Sequence, residues 1–385
     1  MPWLETQKMD QRLEFAMKAM NCGNFTELCQ QYGISRKTGY KWKKRFIDDG
    51  FGGLADQSTK PKSHSEELPE EVVCRIINLK QAHLKWGPRK IHNLYQRKYG
   101  EDKTPSESSF KRVLEKAGYT KKRKKRRASE GGGRISTDIK AEKPNQVWTV
   151  DFKGWWFSAK GEKVEPLTVR DEYSKMVLEL RAVPNSRTET IMPLFEKLFE
   201  AHGLPDNIRS DNGPPFATAK GLLGLSKLSV WWLALGIDLT RGRPGCPQDN
   251  GAHERMHLDV RNELESGKIG RDQAAFDEWR HEFNNQRPHE ALNMAFPSEL
   301  YKPSDTIYTG TPDQIDYDGK ETRRVAKSGS IRYNNDLLSI STTMIGWDVA
   351  LVPIDKSGEV EVWFTNILIG HINHKTSSFT PIKAK

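Results

Sequence analysis

The run KKRKKRR, Lys121 to Arg127, followed by ASEGGGR, divides this sequence. Seven adjacent cations repel one another, and three glycines lose more conformational freedom on ordering than any other residues, so nothing packed is expected from residues 121–134. Residues 121–140 read as a linker. In it Lys121, Lys122, Arg123, Lys124, Lys125, Arg126 and Arg127 can neutralise phosphates without reading sequence. The parts on either side differ in charge. Lysines and arginines number 61 against 51 aspartates and glutamates, and the excess lies before residue 140. A polyanion, most simply nucleic acid, is the expected partner of the N-terminal third. A merely solubilising surface is the bland alternative.

Residues 1–55 read as helices. Leu13, Phe15, Ala16, Met17 and Met20 give an apolar face. In NFTELCQQYGISRKTGYKWKKRF, Asn24 or Thr26 can cap a helix that turns Leu28 and Cys29 inward. Gly33 can take the left-handed conformation of a turn, and Ser35 can cap the next helix. That helix puts Trp42 and Phe46 in a core and sets Arg36, Lys37, Tyr40, Lys41 and Lys44 to face DNA. Helix, glycine turn, basic helix is the layout of a helix-turn-helix reader. An ordinary helical hairpin with a basic face would share part of the pattern. Residues 66–120 read as a second such unit. A helix opens at Pro69-Glu70-Glu71, GPRKIHNLYQRKYG is expected to continue it, and SESSFKRVLEKAG forms a capped helix with Phe110, Val113 and Leu114 inward. Arg89, Lys90, Lys111 and Arg112 are its candidate DNA contacts.

Other classes recede. Cys22, Cys29, Cys74 and Cys246 form no C-x-x-C pair, so neither a zinc ribbon nor a disulfide framework is indicated. No apolar run is long enough to span a bilayer, and MPWLETQKMD lacks the order of a signal peptide. A reducing, cytoplasmic setting with no membrane partner is the expectation.

After residue 140 the pattern changes. NQVWTVDFKGW reads as a strand with Val147, Thr149 and Asp151 on one face and Trp148, Val150 and Phe152 on the other. EPLTVRDEYS and KMVLELRAV read as two more strands. A helix follows with Ile191, Leu194, Phe195, Leu198 and Phe199 apolar. LPDNIRSDNG is a short strand ending at Asp211, LGIDLTRG is another, and a helix starting near Asp249 carries Glu254. Three antiparallel strands followed by alternating helices and strands make a mixed α/β layout. A lone aspartate is most often a cap or turn residue. Asp151 and Asp211 are different, because both end strands and a helical glutamate follows. Three hard oxygen donors suit Mg²⁺ or Mn²⁺, and a pair of such ions supports in-line phosphoryl displacement.

TVDFKG around Asp151, RSDNGPPF around Asp211, RPGCPQDNGAHERMH around Glu254 and FNNQRPHEALNMAFPSELY at 283–301 resemble, jointly and in order, bacterial insertion-sequence transposases of the retroviral-integrase-core type. The resemblance spans roughly residues 10–385. It implies all-α helix-turn-helix modules at the N-terminus, an α/β ribonuclease-H-like integrase core over residues 141–302 and a small all-β barrel over residues 320–385. It also implies a catalytic and metal-binding triad of Asp151, Asp211 and Glu254 holding two Mg²⁺ or Mn²⁺. Its partners would be double-stranded DNA, both element ends and target, with a homodimer or higher oligomer on that DNA. The interval from Asp211 to Glu254 is longer than the family's usual one, the excess lying near GLLGLSK, residues 221–227. Arg243, and His253 and His257 on the Glu254 helix, are further candidate DNA contacts. A transposase-derived DNA-binding regulator without catalysis is the alternative.

His253 to His257, HERMH, also fits the zinc-peptidase pattern H-E-x-x-H. That pattern is weak alone, and a peptidase needs no DNA-reading modules. For the two histidines, solvated helix surface competes with phosphate contact. Arg287 and His289, in NNQRPHEAL, either bind DNA or brace the core. From Arg323 onward GSIRYNN, LLSIST, WDVALVPI, EVEVWF and ILIGHI read as five short strands, hence the barrel.

Overall fold

The computed structural model describes residues 8–56, 68–120, 140–157, 161–219, 221–242, 251–265, 272–354, 358–373 and 375–382. Two compact units divide the chain, Met1–Leu68 and Pro69–Lys385.

The first unit holds α1 (Lys8–Met20), α2 (Phe25–Gln31) and α3 (Arg36–Asp49). The Asn24 side chain accepts from the Glu27 amide and the Ser35 hydroxyl from the Thr38 amide, so both helix starts are capped as the sequence predicts. Gly33 takes φ +61° between them. Phe15, Ala16, Ala19, Leu28, Cys29, Trp42 and Leu54 form the core. Gly39 is buried inside α3. A Cβ there would stand 2.6 Å from Cys29 Sγ, so this glycine sets how closely α3 crosses its neighbours. GFGGL does more than end the module. It forms a 3₁₀ turn that seals the core with Leu54, whose carbonyl accepts from the buried Arg12 at 2.8 Å.

The second unit opens with α4 (Glu70–Ala82), α5 (Pro88–Tyr99) and α6 (Glu107–Lys116). GPRKIHNLYQRKYG does not continue α4. Gly87 caps a separate helix with Pro88 in its first turn, where proline's fixed φ and missing N–H cost nothing. Ile76, Ile91, Tyr95, Phe110 and Leu114 are fully buried in this layer, each contributing about 1.5–3 kcal/mol by leaving water.

The α/β part follows as β1 (Val147–Phe152), β2 (Trp156–Phe157), β3 (Lys163–Asp171), β4 (Val177–Val183), α7 (Thr188–His202), β5 (Asn207–Ser210), α8 (Lys227–Ala234), β6 (Asp238–Arg241), α9 (Gly251–Val260), α10 (Gln273–Asn285) and α11 (Pro297–Leu300). Only the two-residue β2 was not foreseen. β1 pairs antiparallel with β3 and parallel with β5, β5 pairs parallel with β6, and β4 pairs antiparallel with β3. Alternation along β1 sorts its side chains. Trp148 and Val150 join Phe195, Phe199, Trp231 and Trp232 in one aromatic-rich core, and Thr149 and Asp151 face the other way. Met256, Val260, Phe276, Trp279 and Phe283 pack with Val164, Val177 and Leu180 in a second cluster. The side chain of Asn284 accepts from the Val177 amide and donates to its carbonyl, and Gln273 does the same for Ala182 and Leu180. α10 thereby satisfies the backbone of β4, which an edge strand would otherwise leave open.

The C-terminal part is β7 (Glu321–Arg324), β8 (Ser330–Tyr333), β9 (Asp336–Ser339), β10 (Asp348–Ile354), β11 (Glu359–Phe364), β12 (Ile367–Asn373) and β13 (Ser378–Pro381). The five expected strands are present, in an all-β part whose strands pair in two sheets. Two unforeseen edge strands, β7 and β13, complete a five-stranded sheet ordered β13-β12-β11-β10-β7, and β8 and β9 form a separate hairpin. The two sheets share one core, which also takes in Leu225, Val230 and Leu233 beside α8. Residues 221–227 thus have a structural use. Leu222 and Leu223 pack against that same core, and Arg241 donates to the carbonyls of Leu223 and Gly224, both at 3.0 Å. The longer interval joins the α/β part to the C-terminal sheets.

Candidate active site

Asp151 is the penultimate residue of β1, opposite Thr168 of β3. Parallel pairing sets Thr149 beside Arg209, and Asp211 directly follows β5, close enough for its charge to act on Asp151. The Asp211 carboxylate accepts from the Gly213 amide at 3.1 Å, and the Asn212 side chain donates to the Gly242 carbonyl at 2.7 Å. The DNG turn is therefore tied to the end of β6. Glu254 lies in the first turn of α9 and is exposed.

Two aspartates in neighbouring strands show why this site is unusual. Asp171 is fully buried and accepts from the Asn145 amide, the Ser174 amide and the Ser174 hydroxyl at 2.6–2.7 Å. Asp151 is partly buried and accepts from the Phe152 amide, and His257 Nδ1 lies 3.9 Å from its Oδ2. Burial, then the charges of Asp211 and Glu254, push its carboxyl up to about 7. A part-buried carboxylate crowded by two more is a site that a cation would relieve. The donor set is all oxygen, which fits Mg²⁺ or Mn²⁺.

The histidines do not flank Glu254 as a zinc pair. His253 is fully buried. Its Nδ1 lies 2.9 Å from Thr149 Oγ1 and its Nε2 2.5 Å from Thr168 Oγ1. His257 Nε2 lies 2.8 Å from the same Thr168 hydroxyl, which donates to the Asp151 carbonyl at 2.9 Å. With its one proton spent on that carbonyl, Thr168 accepts from Nε2–H of both rings. Burial holds both rings well below the usual histidine range, His257 at about 3, with Lys153 and Arg170 adding to the shift there. Asp151, His253 and His257 each offer a ligand atom within 4.8 Å of the others, but both nitrogens of His253 are engaged with threonines. His253 reaches neither solvent nor phosphate. It pins the start of α9 to β1 and β3. Thr149 and Thr168 were not singled out in the sequence, although Thr149 shares a face with Asp151.

The basic candidates separate. Arg36, Lys37, Tyr40, Lys41 and Lys44 are all exposed on α3, and Tyr40 stacks on Phe25 with ring centroids 4.3 Å apart. On the second helical layer, Lys111 and Arg112 are exposed. Arg89 is drawn to Glu107 at 3.3 Å and to Glu290 at 3.4 Å. Lys90 is half-buried, and burial, then the charge of Arg287, lowers its ammonium to about 8. Lys121, Lys122, Arg123, Lys124, Lys125, Arg126, Arg127 and Arg243 lie outside the described residues. Among the described residues, no helix is long and apolar enough to cross a membrane.

The Integrase core domain family matches residues 141–247 and again residues 235–297. A Helix-turn-helix domain matches residues 11–62 and a Homeodomain-like domain residues 38–114. The uncharacterized 31.7 kDa protein of insertion element IS407 from Burkholderia multivorans is 26% identical over 235 residues, 60% of this chain and 80% of that protein. The uncharacterized 39.2 kDa protein of insertion element IS476 from Xanthomonas euvesicatoria is 24% identical over 256 residues, 65% of this chain and 70% of that protein. Among solved structures, the catalytic core domain of BIV integrase aligns with 41% of this chain and 93% of its own, at 23% identity and a TM-score of 0.33. Between them the two integrase-core matches cover the strands and helices that carry Asp151, Asp211 and Glu254, and with the insertion-element relatives they support a bacterial insertion-sequence transposase of the integrase-core type.

Proposed function

We propose that this transposase cuts and joins DNA strands at the ends of its element through Asp151, Asp211 and Glu254. The observation that carries this reading is the crowding of Asp151, part-buried near the end of β1 and pushed up by burial and then by the charges of Asp211 and Glu254. The three side chains would hold two Mg²⁺ or Mn²⁺. Bound there, the ions supply Lewis acidity to the attacking oxygen and stabilise the oxygen that leaves. Water first opens the phosphodiester at the element end, giving a 3′-OH and a 5′-phosphate. That 3′-OH then attacks a target phosphodiester in line and displaces a target 3′-OH. The network of Thr149, Thr168, His253 and His257 holds the strands against α9, which keeps Glu254 facing Asp151. The exposed face of α3, with Arg36, Lys37, Tyr40, Lys41 and Lys44, would bind the terminal repeats. Lys111, Arg112 and the basic linker would add phosphate contacts, with Arg243 and His257 near the cut. Pairing of two ends calls for at least a dimer on DNA.

The test is strand joining. Purified wild type and Asp211→Asn are incubated with duplexes of the element's ends, a plasmid target and Mg²⁺ or Mn²⁺. Wild type is expected to yield joined products and the variant to lose at least about a thousandfold while keeping end binding. Equal behaviour of the two proteins, with DNA binding intact in both, would leave a DNA-binding regulator instead.

A further inference from the structure

We infer that Arg287 is a positioning residue that fixes the helix carrying Glu254 and thereby sets how the carboxylates close on a divalent cation. This rests on the reading of Asp151, Asp211 and Glu254 as metal ligands. Arg287 follows α10 in the QRPHE stretch, and only 5% of its surface is exposed. Its Nη2 is 3.0 Å from Asp259 Oδ2, and its Nη1 donates to both oxygens of Glu263 at 3.1 and 3.0 Å. Asp259 lies five residues beyond Glu254 on α9. Glu263 lies in the π turn Arg261–Glu265 that continues it. Trp279 of α10 also donates to Glu263, at 2.7 Å.

A π turn widens the helix and weakens its ladder, so the end of α9 depends on outside partners to keep its rotation. Those partners are Trp279 of α10 and Arg287 just beyond it, and α10 is itself anchored to β4 through Asn284, and through Arg280, which donates to the Leu178 carbonyl at 2.6 Å. α9 is thus held twice. His253 ties the residue before Glu254 to the strands, and Arg287 ties the far end to the same sheet by way of α10. Asp259 and Glu263 are each 17% exposed. Without the guanidinium, two part-buried carboxylates would repel, and α9 would turn to bring them to water. Glu254 is on that helix and turns with it. Burial also decides between the two readings of Arg287 left open by the sequence, because a side chain enclosed by Asp259, Glu263 and the Phe283 ring has no face left for DNA.

The test uses the full chain as wild type, Arg287→Ala, Asp259→Asn and Glu254→Gln. Mn²⁺ binding is followed by the loss of its free-ion electron paramagnetic resonance signal, beside end-duplex affinity and joining across a metal titration. Arg287→Ala is expected to raise half-saturating Mn²⁺ about tenfold or more. Joining should be lost at low metal and recover at high metal, with end-duplex affinity within about threefold of wild type. Asp259→Asn, which removes one Arg287 bond and leaves the charges closer to balance, is expected to shift half-saturation about threefold, and it decides the matter should Arg287→Ala not fold. Unchanged Mn²⁺ binding in the folded variants overturns the inference. So does weakened duplex binding with normal Mn²⁺ binding, which would make Arg287 a DNA contact. Glu254→Gln separates the two levels. If it binds Mn²⁺ as wild type does, the metal-site reading itself fails, whatever Arg287 does.

Discussion

The helical unit over α1–α3 and the helical layer over α4–α6 look alike as sequence. Both are basic, and both offer short capped helices with glycine at a turn. Their cations nevertheless have different partners. On α3 the basic side chains from Arg36 to Lys44 project from a helix whose other face is sealed by Trp42. On α5 the basic side chains meet acids of the α/β part. Arg97 makes a two-pronged pair with Glu299, at 2.5 and 3.1 Å, and its guanidinium lies 4.0 Å over the Phe296 ring. Arg89 reaches Glu290, and His83 Nδ1 lies 2.9 Å from Glu282. A positive charge in a sequence signals an anionic partner without saying whether that partner is a phosphate or a distant glutamate of the same chain.

Charge removal on each side would break or sharpen this contrast. The largest effect is expected on α3. Replacing Lys37, Lys41 and Lys44 together by alanine should weaken binding to the element ends about 100-fold and lower the salt dependence by about three units of slope, with the melting temperature unchanged. Titration of a labelled end duplex at several salt concentrations measures both. Next, Arg97→Ala should cost stability rather than affinity, about 1–2 kcal/mol, from loss of a bidentate pair and a stacked cation. Chemical denaturation would show it. An Arg97→Ala protein that melts normally but loses DNA would place α5 on DNA and erase the distinction.

The smallest effect is expected at Lys90. Its folded-state value of about 8 lies below the ordinary lysine value, chiefly through burial. Between roughly pH 8 and 10.5 the unfolded chain holds a proton that the folded one has shed. Stability therefore rises with pH through that window, and the penalty is fully present below it. Lys90→Met should flatten the slope and raise stability at pH 7 by about 1 kcal/mol, discounted for its half-exposure. DNA affinity should stay within about twofold. A variant with an unchanged slope would show that Lys90 is solvated.

Much of this was legible in the sequence because it rests on local chemistry. Asn24, Gly33 and Ser35 act within three or four residues of themselves, and the alternation along β1 sorts Asp151 from Trp148 without any knowledge of the rest. One misreading was local and the others are tertiary. Whether GPRKIHNLYQRKYG continues α4 or starts anew depended on Gly87-Pro88, a local signal that an unbroken helix reading passed over. The fate of Arg89 and Lys90 depended on Glu290 and Arg287, about two hundred residues away. The buried place of His253 depended on two threonine hydroxyls on β1 and β3, and short polar side chains on a strand carry no periodic signature. The full strand count of the C-terminal sheet depended on β7 and β13, whose ETRR and SFTP sequences lack the β-branched runs that announce strands.

The most direct test of the carboxylate site needs no DNA. Wild type and Asp151→Asn are unfolded by heat in chelator and again in Mn²⁺. If Asp151 is a crowded carboxylate built for a cation, the variant melts higher than wild type without metal, by the equivalent of about 2 kcal/mol, and Mn²⁺ raises wild type alone. A variant that melts lower than wild type in chelator, or gains as much from Mn²⁺, would contradict that reading of the site.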